Sequence, residues 1–396
     1  MTGRKDTRTR IYSRPRPRPS AMRRDLPLLL ILQLASGTEA TAAATMPLLP
    51  PNHAAFVLPS PASRLGGSVG RLAAPPPFLL QSVAVNEGTV AVSRAFVPTA
   101  DGATDEEVTE TYSIGTRTFR PMSLSSRQAA PVLVLHGGPS VPSDYLYPLV
   151  DFIPYRSIVF FDQLGCGRSD EPKDAAAYSI EAAVDDVEAV VKKLGLRRFH
   201  LYGQSYGGIL AFEYLKRVAE RGGEGVRDDE GCLSVVLSSA PTSVEAVEAS
   251  AERLLEDLRG EAGGDDGKDE DEDEDAGDSA ALGERFRAAH ICRTEVPPPP
   301  LLEAYAGAGT VWRGTDAIAG YVASPPSDGA ARMPSALIVR GEHDFVDASS
   351  MEGWAEGCFN HKFVRERVLE GCAHHGLLEN GPLYGEVMND FFSQYD

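Results

Sequence analysis

The stretch HLYGQSYGGILAFEYLKRVAE, His200 to Glu220, joins two hydrophobic periods at a single serine. On one side Phe199, Leu201 and Tyr202 read as the end of a short buried strand. On the other, Ile209, Leu210, Phe212, Leu215 and Val218 recur at helical spacing. Ser205 is therefore expected at a strand-to-helix turn. Gly203 and Gly207 lack a β-carbon, so strand and helix can pack closely around a strained serine, the arrangement of a nucleophile elbow. Gly-x-Ser-x-Gly alone is a common loop string. Its meaning depends on partners elsewhere in the chain.

Working outward, strands and helices alternate. SVAVNEGTVAVSRAFV and TETYSIGTRTF show the Val, Thr, Tyr and Phe alternation of opening antiparallel strands. APVLVLHGG and RSIVFFDQ are continuous apolar runs, as in buried parallel strands. SIEAAVDDVEAVVKKLG predicts a helix with Ile180, Ala183, Val184, Val187, Val190, Val191 and Leu194 on its apolar face and Gly195 as C-cap. CLSVVLSSAP, SALIVRGEHD and KFVRERVLEGCAHH supply further strands. Such alternation implies an α/β fold with a mostly parallel central sheet and helices on both faces. We place the first part of that core at 81–243 and the second at 333–396, with a helical cap over 244–332 between them. Within the cap, ten acidic residues and one lysine lie between Asp265 and Asp278. Self-repulsion predicts a disordered insert over 261–280.

Residues 1–80 read as a targeting presequence without ordered structure. A basic start precedes the ten-residue apolar run LPLLLILQLA and a small-residue segment, the order of a signal peptide. The run is too short to span a bilayer, which takes about 20 residues. No acid then occurs until Glu87, as in a transit peptide. The two in series resemble the bipartite presequence of algae with secondary plastids. The expectation is entry to the secretory pathway or a plastid; initiation at Met46 would instead leave the protein cytoplasmic.

Across 396 residues the net charge is −19, and the basic start makes the remainder more acidic still. Such a surface disfavours nucleic-acid phosphates and anionic membranes as partners. The five cysteines are scattered, which excludes a dense disulfide framework and any zinc spacing. They read as small buried hydrophobes.

A serine nucleophile needs a base, and the base an acid to orient it. LIVRGEHD places Asp344 in the turn after a buried strand, with Glu342 and Asp347 as other acids nearby. GCAHHGLLE places His374 and His375 after the last strand. The order Ser, Asp, His fits. Upstream, HGGP ends a buried strand where donors to an oxyanion belong. The amides of Gly138 and Tyr206 form the natural pair, and His136 reads as a structural loop residue.

HGGPS, SDYL, FFDQLGCGRSDEP, HLYGQSYGGILAFEYL and GEHD together resemble the proline iminopeptidases (prolyl aminopeptidases) of the α/β-hydrolase superfamily. The likeness is nearest to the branch of the tricorn-interacting aminopeptidase and the amino-acid amidases. It implies an α/β-hydrolase fold with an inserted helical cap, Ser205 as nucleophile, Asp344 as acid and His374 as base. His374 is chosen over His375 because the family's histidine precedes a glutamate by five, here Glu379. Two positions depart from the pattern: Ser140 replaces the last glycine of HGGPG, and Phe345 replaces an acid that often follows the catalytic aspartate.

The resemblance implies a serine aminopeptidase that releases an N-terminal residue, proline included, from a small peptide or amino-acid derivative. The alternative is an amino-acid amidase or carboxylic-ester hydrolase on the same machinery. A carboxylate for the substrate's α-amine would separate the two. Glu295, Glu303 and Trp312 in the cap, with Phe345, are the substrate-binding candidates. No metal or organic cofactor is expected. Epoxide and haloalkane hydrolases place an aspartate at the elbow, so Ser205 argues against them. A non-catalytic hydrolase-like binding protein would not need the intact Ser, Asp and His set.

Overall fold

The computed structural model describes residues 83–99, 106–122, 129–222, 231–261, 272–327 and 329–396, with 272–278 described by backbone only. The expected presequence lies outside the described residues. Eight strands form one sheet in the order β1-β2-β4-β3-β5-β6-β7-β8. They are β1 (Val83–Phe96), β2 (Val108–Pro121), β3 (Val132–Leu135), β4 (Ile158–Phe161), β5 (Arg198–Gln204), β6 (Gly231–Ser238), β7 (Ser335–Gly341) and β8 (Val364–Leu369). The β1–β2 and β2–β4 pairs are antiparallel, and every pair from β4 to β8 is parallel. The four residues of β3 and of β4 are all buried, which is why these strands read as unbroken apolar runs.

From β3 the chain steps one way to β4 and then returns past β3 to β5. Right-handed crossovers in opposite directions put helices on opposite faces of the sheet. They also open a crevice at the carboxyl ends of β3 and β5, where the strand order reverses. Helix α1 (Ile180–Leu194) begins at Ser179, whose hydroxyl accepts from the Ala182 amide, and ends at left-handed Gly195. Helix α2 (Tyr206–Glu220) follows β5 directly. Between β6 and β7 lie α3 (Val244–Glu261), α4 (Glu272–Phe286), a π-helical turn at Arg287–Ile291 and α5 (Pro299–Ala306). The proline run opens α5 rather than only breaking a helix, because a first-turn residue needs no amide hydrogen. Helix α6 (Gly381–Phe392), absent from the sequence reading, closes the fold, with Gly381 and Gly385 packed against Phe152.

The expected disordered insert over 261–280 is corrected at both ends. Glu261 is the last residue of α3, and residues 272–280 belong to α4. Residues 262–271 lie outside the described residues. Cys166, Cys292, Cys358 and Cys372 are buried, Cys232 is half-buried, and none forms a disulfide.

The apolar face of α1 also carries a charge. Asp186 is buried there and pairs with Arg94, the charged member of the buried Val90, Val92, Arg94, Phe96 face of β1. Arg94 Nε additionally donates to the Ala177 carbonyl at 3.1 Å. The pair ties the antiparallel hairpin to the parallel body. Burial pushes the Asp186 carboxyl up to about 6 in spite of the hydrogen bond from Arg94. Arg94→Ala leaves an uncompensated buried carboxylate and should cost about 3–5 kcal/mol of unfolding free energy at pH 8. Without Arg94 the Asp186 carboxyl is pushed up further, so the variant takes up a proton above pH 6 and the deficit should shrink as the pH falls from 8 to 6. Urea unfolding at the two pH values checks both statements.

Candidate active site

Ser205 sits at the apex between β5 and α2 with φ 55° and ψ −123°, left-handed backbone that a serine adopts only under constraint. The constraint is packing. A β-carbon on Gly203 would stand 2.2 Å from the Gly207 carbonyl oxygen, and one on Gly207 2.1 Å from that of Leu135 at the end of β3. The Ser205 amide donates to the Ser238 carbonyl at 2.8 Å, which anchors the apex to β6.

Asp344 lies in the turn after β7 and His374 in the loop after β8, and His374 Nδ1 is 2.9 Å from Asp344 Oδ1. The same oxygen accepts the Val346 amide at 2.9 Å. With Nδ1 held by the carboxylate, Nε2 is the nitrogen free to serve as base. His374 and Ser205 both line one cavity. Ser205 Oγ makes no hydrogen bond to a described residue; catalytic hydrogen bonds of this kind commonly tighten only when substrate is bound. Phe345 packs on the His374 ring at 4.5 Å between centroids, so the residue that departs from the family pattern braces the imidazole and also lines the cavity.

The alternative acids and base have other occupations. Asp347 caps the helical turn at Ala348–Met351 and pairs with Arg253 at 2.9 Å. Glu342 accepts the Gly371 amide at 2.9 Å. His375 lies in the cavity edge-on to His374 and to Tyr145, and burial, with His374 beside it, holds its pKa well below the usual histidine value. His136 Nε2 accepts the Gln163 amide at 2.8 Å, so its proton resides on Nδ1, which donates to the Gly137 carbonyl. It is a loop scaffold, as expected.

Gly138 and Tyr206 flank Ser205 in the cavity lining. Tyr206 is the first residue of α2, so its amide has no intrahelical acceptor and lies at the positive end of the helix. Gly138 has φ +119°, and its amide donates to no described residue. One side chain joins these loops. The Gly137 amide donates to Tyr145 Oη at 2.7 Å, Tyr145 Oη donates to Gln204 Oε1 at 2.6 Å, and Gln204 Nε2 donates to the His374 carbonyl at 3.4 Å. Tyr145 and Gln204 were not singled out from sequence, since a tyrosine in SDYL and the residue before the serine carry no chemical signature of their own.

The cavity holds about 360 Å³ and is mostly apolar, with Val141, Ile209, Val244, Val247, Ile291 and Ile318 among its walls. Two expectations are corrected. Glu295 and Glu303 are exposed and do not line it: Glu295 lies in the loop before α5, and α5 turns its apolar positions Leu301 and Ala304 inward and Glu303 outward. Trp312 is a buttress: it stacks on Tyr178, meets Tyr206 edge-on, and its carbonyl accepts Ser140 Oγ at 2.5 Å. Among the described lining residues there is no Asp, Glu or Lys, and the one arginine is Arg313.

This arrangement of elbow, acid, base and amide donors is that of an α/β-hydrolase. Residues 130–381 match the alpha/beta hydrolase fold family, and the chain belongs to it and is a hydrolase. A proline iminopeptidase of Lactobacillus delbrueckii subsp. bulgaricus is 29% identical over 283 residues, covering 67% of this chain and 91% of the relative. One from Thermoplasma volcanium is 28% identical over 283 residues, covering 68% and 91%. One from Saccharolobus solfataricus is 36% identical over 129 residues, which span 32% of this chain and 38% of that protein. The resemblance to proline iminopeptidases is thus carried by these relatives. Among solved structures, a Mycobacterium smegmatis proline iminopeptidase superposes with TM-score 0.58 at 23% identity, over 77% of this chain and 98% of that one. VinJ superposes with TM-score 0.56 at 21% identity, over 76% and 100%. At these identities the two structures speak for the fold.

Tyr145→Phe keeps the packing and cuts the link between the Gly137 amide and Gln204. Each loses a buried partner, at about 1–3 kcal/mol. Because the ring does not touch the reacting atoms, kcat should fall about tenfold to a hundredfold with KM little changed. Steady-state kinetics on any chromogenic substrate, beside a thermal unfolding control, checks this.

Proposed function

We propose that the protein is a serine aminopeptidase that releases a small apolar N-terminal residue, proline included, from short peptides through an acyl-enzyme. The observation that carries the reading is the Asp344–His374 hydrogen bond at the edge of the cavity that also holds Ser205 and the Gly138 and Tyr206 backbone. His374 Nε2 takes the Ser205 proton as Oγ attacks the scissile carbonyl, and the amides of Gly138 and Tyr206 hold the oxyanion. The imidazolium, stabilised by Asp344, then protonates the leaving amine. Water activated by the same nitrogen releases the acid. The cavity is small and closed by the cap elements, which suits a short substrate, and the curated relatives are proline iminopeptidases.

A second reading, an ester or neutral-amide hydrolase on the same residues, is favoured by one observation: no carboxylate occurs among the described lining residues. A free α-amine would be met there by carbonyls and hydroxyls instead of an ion pair.

A fluorophosphonate probe should label the wild type and leave Ser205→Ala unlabelled; equal labelling would sink the acyl-enzyme. His374→Ala should lower kcat by several orders of magnitude, whereas His375→Ala should lower it far less. Prolyl anilide should be cleaved about tenfold faster in kcat/KM than its N-acetyl counterpart, the worth of a neutral hydrogen bond rather than of a buried ion pair. Equal rates, or a preference for the acetylated substrate, would transfer the assignment to the second reading.

A further inference from the structure

Arg313 is the one Arg, Lys, Asp or Glu among the described residues lining the catalytic cavity. It is half-buried and makes no hydrogen bond, ion pair or ring contact to another described residue. Shortage of acids is not the reason, since the chain carries 57 Asp and Glu against 38 Lys and Arg. Other arginines near the cavity loops are paired: Arg168 with Asp144 and Asp162, Arg287 with Glu284.

The loop that carries Arg313 is held firmly. The Gly309 amide donates to the Ser140 carbonyl at 2.9 Å, Ser140 Oγ donates to the Trp312 carbonyl at 2.5 Å, and the Thr310 amide donates to Glu171 Oε1 at 2.7 Å. Ser140 sits at φ 66°, a conformation that favours glycine. It is also the position at which this chain departs from HGGPG, so the departure supplies the hydroxyl that fixes the residue before Arg313. A guanidinium carried on a firmly anchored loop beside a largely apolar cavity, with no partner among the described residues, is costly to enclose with substrate unless the substrate brings an anion. Its planar fork matches a carboxylate.

We propose that Arg313 binds a free carboxylate on the leaving group, so that the preferred substrates are dipeptides with an unblocked C-terminus. The assignment to the leaving group rests on the aminopeptidase reading, in which the acyl part is the N-terminal residue and the departing amino acid carries the carboxylate. A zwitterionic dipeptide also answers the lack of an acid in the lining, because it enters with no net charge. The acidic exterior acts at long range and is screened within about 8 Å at physiological ionic strength. The contact with Arg313 is sheltered, so preference for the acid should persist in added salt.

The experiment compares two substrate pairs with the full chain: Pro-Gly against Pro-Gly amide, and 4-carboxyphenyl acetate against phenyl acetate. Wild type should favour the carboxylate member of the peptide pair about tenfold or more in kcat/KM, mainly through KM. Arg313→Gln should bring that ratio near one, and Arg313→Lys should leave it between. Arg313→Glu should invert it, a gain of relative activity on the amide that misfolding cannot produce. For the esters, dividing each ratio by that of Arg313→Gln removes intrinsic reactivity, and the same direction is expected. Peptide cleavage with the same ratio in wild type and Arg313→Gln would overturn the role of Arg313 while leaving the aminopeptidase reading intact. An Arg313-dependent ratio confined to the esters, with neither peptide cleaved, would uphold Arg313 and remove the aminopeptidase reading.

Discussion

The carbonyl oxygen of Leu135 stands 2.1 Å from where a β-carbon on Gly207 would lie, and that of Gly207 stands 2.2 Å from where one on Gly203 would lie. Both distances are far inside van der Waals contact, so only hydrogen can occupy these positions. The first turn of α2 is thereby pressed against the ends of β3 and β5 together. Ser205, trapped between them, adopts its left-handed backbone because no relaxed path connects strand to helix in so little space. The same contact brings the helix N-terminus beside the loop that leaves β3. The meeting of Ser205 with the Gly138 and Tyr206 backbone in one cavity is thus a consequence of backbone packing before any side-chain chemistry is considered.

Those two loops still need the histidine, which arrives from the far side of β7. Here the arrangement depends on neutral hydrogen bonds between buried groups. Tyr145 accepts from the loop after β3 and donates to the residue before the nucleophile, and that residue reaches the carbonyl of His374. Burial raises the Tyr145 pKa well above the usual tyrosine value, so the hydroxyl keeps its proton and its two roles at any pH the enzyme meets. A charged residue in that place would have served as a competing acid or base. A neutral phenol positions without titrating.

The sheet, the turn at Ser205 and the strand-end positions of Asp344 and His374 were legible because each rests on a local pattern that the long-range fold does not override. Four-residue apolar runs ended by glycines became β3 and β4, and the 3.6-residue period of Ile180 to Leu194 became α1 with its expected C-cap. Where the reading failed, the deciding contact was distant in sequence. Asp186 looks like a solvent-facing acid until Arg94, ninety-two residues earlier, is folded onto it. Glu303 looked like an amine ligand because the cap is expected to cover the site, but which face of α5 turns inward is set by Leu301 and Ala304 packing on the core, and Glu295 lies exposed in the loop before that helix. Arg313 was passed over for the same reason: its significance lies in its having no acid beside it among the described lining residues, which is visible only once the cavity is assembled. The acidic run misled differently, since composition measures repulsion and says nothing of where a helix resumes, here at Glu272.

The charge distribution of the cavity bears on how an aminopeptidase of this family could work with so few charges inside. A protonated amine buried beside Arg313 with no carboxylate in the described lining would leave two like charges in a medium that screens them poorly. Binding the substrate as a zwitterion avoids this, because its own carboxylate offsets Arg313 and its amine is then met by dipoles alone. Dipoles from fixed backbone groups cost little to reorganise as the oxyanion forms. An acid close to Ser205 would act the other way, since a negative charge there opposes the negative charge that develops on the tetrahedral intermediate. Phe345, which braces His374 where an acid often stands in this branch, keeps that charge away from the reacting carbonyl. On the proposed mechanism, the phenylalanine that removes a partner for an amine therefore also lowers the electrostatic cost of the oxyanion. On the proposed reading, specificity shifts to the other end of the substrate, where Arg313, the one arginine of the described lining, reads a carboxylate.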